Sequence, residues 1–311
     1  MYEKVLIPTD FSKHTNPILE CVGEIPGVIE VVLLHIVAGD PLARVWSPGD
    51  KIKEANSKLE ELKKPLEDSG LKVKVMAVSA GENEEYKVIQ NVADEENVSL
   101  IVMGARGRSI LRGLLLGSVS TGVLRYGKQD LLIMRYKSLE DENLGMFCSH
   151  LFSNLLLPTD FSEAGMAAIN RVKGHALANN VQLINVVAKG ESAQEVEARV
   201  KDAQMKLDAI RDDLTKAGIK ATAKVIVADA GEPRTYGTGG MAAVHNAAPF
   251  VNVGGEADKI ISTSEKEDSS MIAMSSHGKG WMNDLLIGSV VFDVARRGTR
   301  PVLVVRYKKN A

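Results

Sequence analysis

The sequence has few cysteines, few aromatic residues and no long apolar run. Only Cys21 and Cys148 are cysteines among 311 residues, and aromatic residues make up 5%. Neither cysteine has a CxxC partner or metal-ligand spacing, which is typical of isolated thiols in a reducing cytoplasm. No apolar run approaches the roughly 20 residues that span a bilayer, and residues 1–12 lack the features of a signal peptide. We therefore expect a cytoplasmic protein without a membrane segment.

The sequence also lacks an excess of charge of one sign. Its 38 Lys and Arg residues and 40 Asp and Glu residues are interspersed, and the net charge is -2. This balance excludes the basic surface typical of nucleic-acid and anionic-membrane binding. The length exceeds that of one ordinary domain of about 100–150 residues and predicts two domains.

An internal repeat supports two domains. VLIPTDFS at residues 5–12 recurs as LLLPTDFS at 155–162, an offset of 150, whereas LLGS at 115–118 recurs as LIGS at 286–289, an offset of 171. The difference predicts an insertion near 233–255, whose Gly- and Ala-rich composition favours a loop. We predict a first domain at 1–137, a linker at 138–150 and a second domain at 151–311.

Each copy alternates apolar runs with amphipathic helices, which predicts an α/β fold. We expect two tandem doubly wound domains, each with a five-stranded, mostly parallel sheet flanked by helices. One long helix has apolar residues at helical spacing, namely Ile52, Ala55, Leu59, Leu62 and Leu66. We expect Pro65 to kink this helix or end it early, with Gly70 just past its end. Its counterpart opens with a capping box at Ser192 and Glu195 and closes at Gly218.

We expect a phosphate-binding site just after the fourth strand of the first copy. Gly104, Ala105, Arg106 and Gly107 are followed by nine residues and then by Gly117 and Ser118, which open a helix. Glycines let a phosphate approach the main chain, helix N-terminal N–H groups favour anions, and Arg106 and Arg108 add positive charge. The alternative is that Gly117 and Ser118 only cap the helix. The Walker A loop and the strict GxGxxG motif are absent.

Together, PTDFS at 8–12, His35 with Ile36, and Gly-x2-Gly-x9-Gly-Ser from Gly104 to Ser118 resemble the ATP-binding branch of the universal stress protein family. The resemblance covers both copies. It implies that residues 8–10 and 36 line the adenine and ribose, that 104–110 wrap the sugar and phosphates, and that 118–120 bind the phosphates. The site residues implied for the first copy are Pro8, Thr9, Asp10, Ile36, Gly104, Arg106, Gly107, Arg108, Gly117, Ser118, Val119 and Ser120.

Some of these residues have an ordinary structural alternative. Asp10 can cap the first helix, which is compatible with binding, and Ile36 fits a core position as well as a pocket wall. We expect His35 to be a core histidine with its hydrogen bonds satisfied.

The second copy departs from the pattern because Ser275 stands where the first has Gly104. A side chain there demands a different φ or crowds the ribose. His277 and Lys279 either contact phosphate or are solvated, and the insertion is a lid, a plug or a surface loop. We expect this second site to be degenerate or altered. Its implied residues are Asp160, Val186, Gly278, Gly288, Ser289 and Val290.

The resemblance implies an ATP-binding stress-response or regulatory protein, with ADP or AMP as alternative ligands and Mg²⁺ allowed beside the phosphates. The alternative is an interaction scaffold of the same fold that binds no nucleotide. We do not expect an enzyme, because no Ser-His-Asp set or metal cluster is visible and the Ser-Gly-Gly loop of related adenylating enzymes is missing. Slow ATP hydrolysis stays an open alternative. The resemblance also implies that the last strands, 131–136 and 302–307, pair with each other, so that one chain forms an intramolecular pseudo-dimer. A further homodimer and an unknown protein partner stay open.

Overall fold

The computed structural model describes residues 1–12, 15–38, 48–81, 83–105, 116–135, 137–138, 144–145, 150–188, 192–228, 255–278 and 287–307. Strands and helices alternate through both halves of the chain, as the apolar pattern predicts. The elements of the first half are β1 (Lys4–Thr9), α1 (Thr15–Val22), β2 (Glu30–Ala38), α2 (Pro48–Asp68), β3 (Lys72–Ala80), α3 (Glu85–Glu95), β4 (Leu100–Gly104), α4 (Ser118–Tyr126) and β5 (Asp130–Met134).

The segment expected to be a linker contains a short antiparallel hairpin of β6 (Lys137–Ser138) and β7 (Leu144–Gly145). The elements of the second half are β8 (Asn154–Pro158), α5 (Met166–His175), β9 (Asn180–Val187), α6 (Ala193–Lys216), β10 (Lys220–Val227), α7 (Glu256–Lys266), β11 (Met271–Ser275), α8 (Ser289–Arg297) and β12 (Val302–Val305). The expected insertion lies outside the described residues up to 254, and its last residue, Gly255, is the N-cap of α7.

All ten long strands form one sheet in the order β10-β9-β8-β11-β12-β5-β4-β1-β2-β3. Each half contributes five parallel strands in the doubly wound order 3-2-1-4-5, which confirms the predicted fold class. The halves join through β5 and β12, which pair antiparallel with Leu132 opposite Leu303. This is the strand pairing that the resemblance implied within one chain.

A hydrophobic core covers each face of the sheet and runs through both halves. Val5 and Ile7 of β1 belong to one core and Leu6 to the other, because successive side chains of a strand point to opposite faces. Helices α1, α2, α5 and α6 pack on the first face, and α3, α4, α7 and α8 pack on the second. The shared cores bury apolar surface across the junction, which stabilises the two halves against each other.

The helix ends agree with most of the sequence signals. Gly70 adopts a φ of +90° just after α2, and Ser192 accepts a hydrogen bond from Glu195 N at the start of α6. Helix α2 continues through Pro65 to Asp68, so an early end at Pro65 is wrong, while a kink there stays a prediction. Only the last turn follows Pro65, whose carbonyl accepts Ser69 N at 3.2 Å.

Cys21 is buried on α1 and is disulfide-bonded, which corrects the expectation of an isolated thiol. That expectation rested on sequence spacing, which does not report which residues lie close together in space. None of the helices in the described ranges is long and apolar enough to cross a membrane.

Candidate functional site

The strand order reverses between β1 and β4, and their carboxyl ends form the crevice where doubly wound folds bind ligands. Thr9 ends β1, and its hydroxyl accepts a hydrogen bond from Phe11 N at 3.0 Å. The Asp10 carboxylate accepts from Ser12 N at 2.9 Å. Phe11 has a φ of 58°, which is rare outside glycine and marks a main chain held in a tight turn.

The structure places Asp10 in this turn and not at the N-cap of the first helix, which begins at Thr15. The capping expectation was therefore wrong. A carboxylate two residues before the amide it binds forms a local turn, and here the turn holds Asp10 beside the crevice.

His35 buttresses the turn from β2. Its Nδ1 lies 2.8 Å from Thr9 O, and its ring stacks on Phe11 with the centroids 4.2 Å apart. The histidine is half-buried and hydrogen-bonded, as expected for a structural role. Ile36, the next residue, is a partly buried hydrophobic residue packed against the core and suits the wall of a pocket equally well.

The junction of β4 and α4 is held by main-chain contacts. Gly117 N donates to Ala105 O at 2.8 Å, and the buried Ser120 hydroxyl donates to Gly104 O at 2.9 Å. The first bond into the helix runs from Thr121 N to Gly117 O, so the N–H groups of residues 118–120 have no partner from the helical pattern. Ser118 is exposed at this helix start. The arrangement presents a row of donors to the crevice.

Glycine at position 117 is not required by the backbone. Gly117 has φ -68° and ψ 160°, and its counterpart Gly288 has φ -61° and ψ 143°, which any residue adopts. A Cβ on Gly288 would lie 3.5 Å from Ser276 O, an ordinary contact. The backbone angles therefore do not require glycine at either helix start, and at Gly288 the packing does not require it either.

Of the residues predicted for the first copy, the structure brings Pro8, Thr9, Asp10, Gly104, Gly117, Ser118, Val119 and Ser120 to this crevice end of the sheet, with Ile36 on the adjacent strand. Arg106, Gly107 and Arg108 lie outside the described residues and stay predictions.

The second half repeats the turn after its first strand. Phe161 has a φ of 63°, and its N–H donates to the Thr159 hydroxyl at 3.1 Å. Asp160 accepts from Ser162 N at 3.0 Å and from the Ser162 hydroxyl at 2.6 Å. Asn185 replaces the histidine and donates to Thr159 O at 2.7 Å. Both halves therefore hold an aspartate in the same strained turn.

A lysine on the long helix lies over the aromatic ring of each turn. Lys58 Nζ is 5.8 Å from the centroid of Phe11, and Lys206 Nζ is 5.6 Å from that of Phe161. Such cation–π contacts attract the ammonium groups to the rings, and each lysine is also ion-paired, Lys58 with Glu54 and Lys206 with Asp202. Motif analysis missed these lysines and the two phenylalanines, although the repeat at offset 150 aligns the phenylalanines.

The position of Asp160 also explains why residue 278 of the second copy is a glycine. A Cβ on Gly278 would lie only 2.5 Å from Asp160 Oδ2, so the carboxylate occupies the space that a side chain would need. Gly278 is therefore required for packing in this half, whatever it also contacts.

A cavity of about 780 Å³ opens at the crevice of the second half. The predicted residues Asp160, Val186, Gly278, Gly288, Ser289 and Val290 all line it. Its volume lies within the range of about 300–1,000 Å³ that is typical of small-molecule sites. The charged side chains of its lining are Asp160, Arg199, Asp202, Lys206 and Glu256, and Lys206 is paired with Asp202 at 2.6 Å. The described lining therefore has no excess of positive charge.

Ser275 ends β11, is 6% exposed and lines this cavity. It is not among the residues with positive φ, and the expected crowding of a ribose stays a prediction. Its Oγ is buried and has no hydrogen-bond partner among the described residues. His277 also lines the cavity, with its Nδ1 2.8 Å from Ser276 Oγ, whereas Lys279 lies outside the described residues.

Comparison with known proteins identifies the family. The model of the universal stress protein family matches residues 1–135 and again residues 151–306. The chain belongs to the universal stress protein family. It carries two copies of the family's domain, as the repeat predicted.

Relatives resemble either one copy or the whole chain. Universal stress protein MJ0577 of Methanocaldococcus jannaschii is 32% identical over 161 residues, which are 44% of this chain and 98% of that protein. MJ0531 of the same organism is 29% identical over 145 residues, 43% of this chain and 83% of that protein. A universal stress protein from Archaeoglobus fulgidus superposes with a TM-score of 0.65 at 24% identity, covering 97% of this chain and 96% of that one. This last likeness supports the tandem fold alone.

Proposed function

We propose that this universal stress protein is an ATP-binding regulatory protein, which holds the nucleotide in the crevice of its first half. The observation that carries the proposal is the start of α4. An exposed helix N-terminus begins at Gly117, a glycine whose backbone angles any residue could adopt, and the crevice lies beside it. Helix N-termini with free N–H groups bind phosphates, and a bare main chain lets the phosphates approach.

The rest of the crevice suits the nucleoside. Asp10 supplies a carboxylate held in a fixed turn, and Ile36 supplies a half-buried apolar surface. A carboxylate can accept hydrogen bonds from ribose hydroxyls, and an apolar wall can cover a base. Arg106 and Arg108 of the glycine loop would add positive charge beside the phosphates. Any Mg²⁺ would then be held mainly by the phosphates, because no His, Cys, Asp and Glu cluster suited to a metal occurs in the described part of the chain.

We propose that the second site is altered rather than a copy of the first. Ser275 places a buried hydroxyl where Gly104 leaves main chain, and the described lining of the cavity balances acidic and basic groups. The volume accommodates a nucleoside, but the described charge offers no net attraction to a triphosphate.

We do not assign a catalytic reaction. Among the described residues, the Ser–His contact beside the second cavity, between Ser276 and His277, does not provide an accessible nucleophile. Ser276 is fully buried, and its Oγ accepts the N–H of Tyr307 at 3.2 Å.

Two measurements on the purified full chain test the function. Denatured protein is analysed by reversed-phase chromatography for released adenine nucleotide, and nucleotide-free protein is titrated with ATP, ADP, AMP and GTP by calorimetry. We expect ATP to bind and GTP to bind much more weakly. Absence of both released nucleotide and ATP binding would favour the interaction scaffold instead.

A further inference from the structure

In each half, an arginine just after the last strand reaches into the other half. Arg306 follows β12, and its guanidinium donates to Val123 O at 3.0 Å and to Leu124 O at 2.9 Å. Both carbonyls lie in the last turn of α4, the helix whose first turn faces the proposed phosphate site. The Arg306 Nε donates to Gln129 O at 3.2 Å, which fixes the side chain along its length.

The second arginine makes the mirror contact. Arg135 follows β5 and donates to Ala295 O and, at 3.0 Å, to Arg296 O, both in the last turn of α8. Arg135 and Arg306 are separated by 171 residues, the same offset that relates the two closing strands, so they occupy the same position of the repeat. The two halves therefore exchange equivalent arginines across the β5–β12 junction.

Such an arginine acts on the whole helix. Val123 O also accepts the helical bond from Gly127 N at 2.8 Å, whereas Leu124 O is one of the end carbonyls that lack a helical partner. A cation at this end also interacts favourably with the helix dipole. Helix α4 has only 9 residues, a length at which a helix is marginal without external contacts. Fixing its C-terminal turn therefore fixes the direction of its first-turn N–H groups, which lie between about one and two turns away.

A buried carboxylate, that of Asp130, also holds Arg306 in place. Asp130 Oδ1 accepts from Arg306 N at 2.8 Å, and Oδ2 accepts from the Tyr2 hydroxyl at 2.8 Å and lies 3.1 Å from Arg171 Nε. Position 301, which the 171-residue offset places opposite Asp130, is a proline and has no carboxylate. Burial lowers the pKa of Arg306 to about 10, and the nearby Asp130 opposes this effect, so the guanidinium stays charged at pH 7.

We propose that Arg306, a residue of the second half, is a positioning residue for the phosphate site of the first half, and that Arg135 positions α8 in the same way. This inference rests on the proposed function for its ligand. Each site then depends on the closing strand of the opposite half. By linkage, a ligand bound at the first turn of α4 also stabilises the Arg306 contact at its last turn.

The test compares the two arginines as matched variants. The full chain carries Gly288→Val, which removes the second helix start as a ligand site, and receives either Arg306→Met or Arg135→Met. Both substitutions remove hydrogen bonds to a helix end at the same junction, those of Arg306 to α4 and those of Arg135 to α8. We expect Arg306→Met to weaken ATP binding at the first site roughly three- to tenfold, and Arg135→Met to change it less than twofold. Arg306→Lys, which keeps a cation, is expected to recover part of the affinity.

A second readout separates this inference from the proposed function. Hydrogen exchange without nucleotide is expected to quicken in α4 for Arg306→Met and in α8 for Arg135→Met. If the unsubstituted chain binds no ATP, the proposed function fails, while the exchange pattern still decides whether each arginine orders the opposite helix. Equal loss of ATP affinity in both variants, unchanged affinity in Arg306→Met, or exchange changes without this crossed pattern would overturn the inference.

Discussion

Among single residues, Gly278 belongs to the glycine motif of the second site and also leaves the space that the Asp160 carboxylate occupies. The Asp160 carboxylate is held by two hydrogen bonds from Ser162 and cannot move aside freely. A methyl group on Gly278 would lie 2.5 Å from Asp160 Oδ2, whereas one on Gly288 would lie no closer than 3.5 Å to its neighbours. The two glycines therefore differ in what they do for the fold.

We predict that Gly278→Ala lowers the free energy of unfolding by roughly 1–3 kcal/mol because it overpacks this contact. Gly288→Ala, the matched control, is expected to change it by less than about 0.5 kcal/mol. Urea unfolding followed by circular dichroism measures both. In an Asp160→Gly background the penalty of Gly278→Ala should largely vanish, and an unchanged penalty there would mean that another contact is responsible.

Glu96, at the end of α3, forms ion pairs with two lysines. Its carboxylate binds Lys74 at 2.6 Å and Lys4 at 2.9 Å, and these hydrogen bonds hold the pKa of Glu96 below its usual value. A carboxyl group with a lowered pKa in the folded state stabilises the protein above its unfolded-state pKa, and this stabilisation is lost as pH falls through the lowered value.

Glu96→Gln should therefore be less stable than the unsubstituted chain at pH 7. The difference should shrink as pH falls below the ordinary glutamate pKa of about 4.3. Urea midpoints of both proteins between pH 7 and pH 3 measure this, with the exposed Glu20→Gln as the control. A difference that stays constant over this range would contradict the assignment.

At the scale of elements, sequence periodicity predicted what local interactions determine. Apolar runs gave the long strands, and Gly70 and Ser192 marked helix ends correctly because their roles depend on near neighbours. The β6–β7 hairpin escaped prediction because strands of 2 residues carry no periodicity. The continuation of α2 through Pro65 was missed because tertiary packing overrides a local preference.

Among the helices, α6 has a side-chain N-cap, Ser192. Ser192 accepts a hydrogen bond from Glu195 N at 3.2 Å and satisfies one of the free donors of a 24-residue helix. Ser192→Ala should lower the free energy of unfolding by about 1 kcal/mol, and Ser192→Asp should restore it. Thermal unfolding measures both variants. Equal stability of the alanine and aspartate variants would show that this cap contributes nothing.

At the scale of the whole molecule, the ten-stranded sheet and its two shared cores make the halves one structure. The repeat predicted the two domains, and the glycine motif predicted the helix start at Gly117. The contacts of Arg135 and Arg306 could not be predicted, because they join residues more than 150 positions apart in sequence. No local pattern encodes such a contact.

We expect the two halves to unfold together. Leu132 is fully buried at the junction, opposite Leu303 of β12. Leu132→Ala should lower the free energy of unfolding by about 2–5 kcal/mol. Hydrogen exchange resolved by residue in increasing urea should show that the free energy of unfolding falls equally in both halves. Destabilisation confined to the first half would indicate that the halves unfold independently.

In the proposed function, the bare main chain at the start of α4 holds the phosphates of ATP. Calorimetric titration of the unsubstituted chain, Gly117→Val and Gly288→Val with ATP measures that contribution. We predict that Gly117→Val abolishes most of the binding while Gly288→Val retains it, with both variants folded by circular dichroism. Retention of full ATP affinity in folded Gly117→Val would contradict the account.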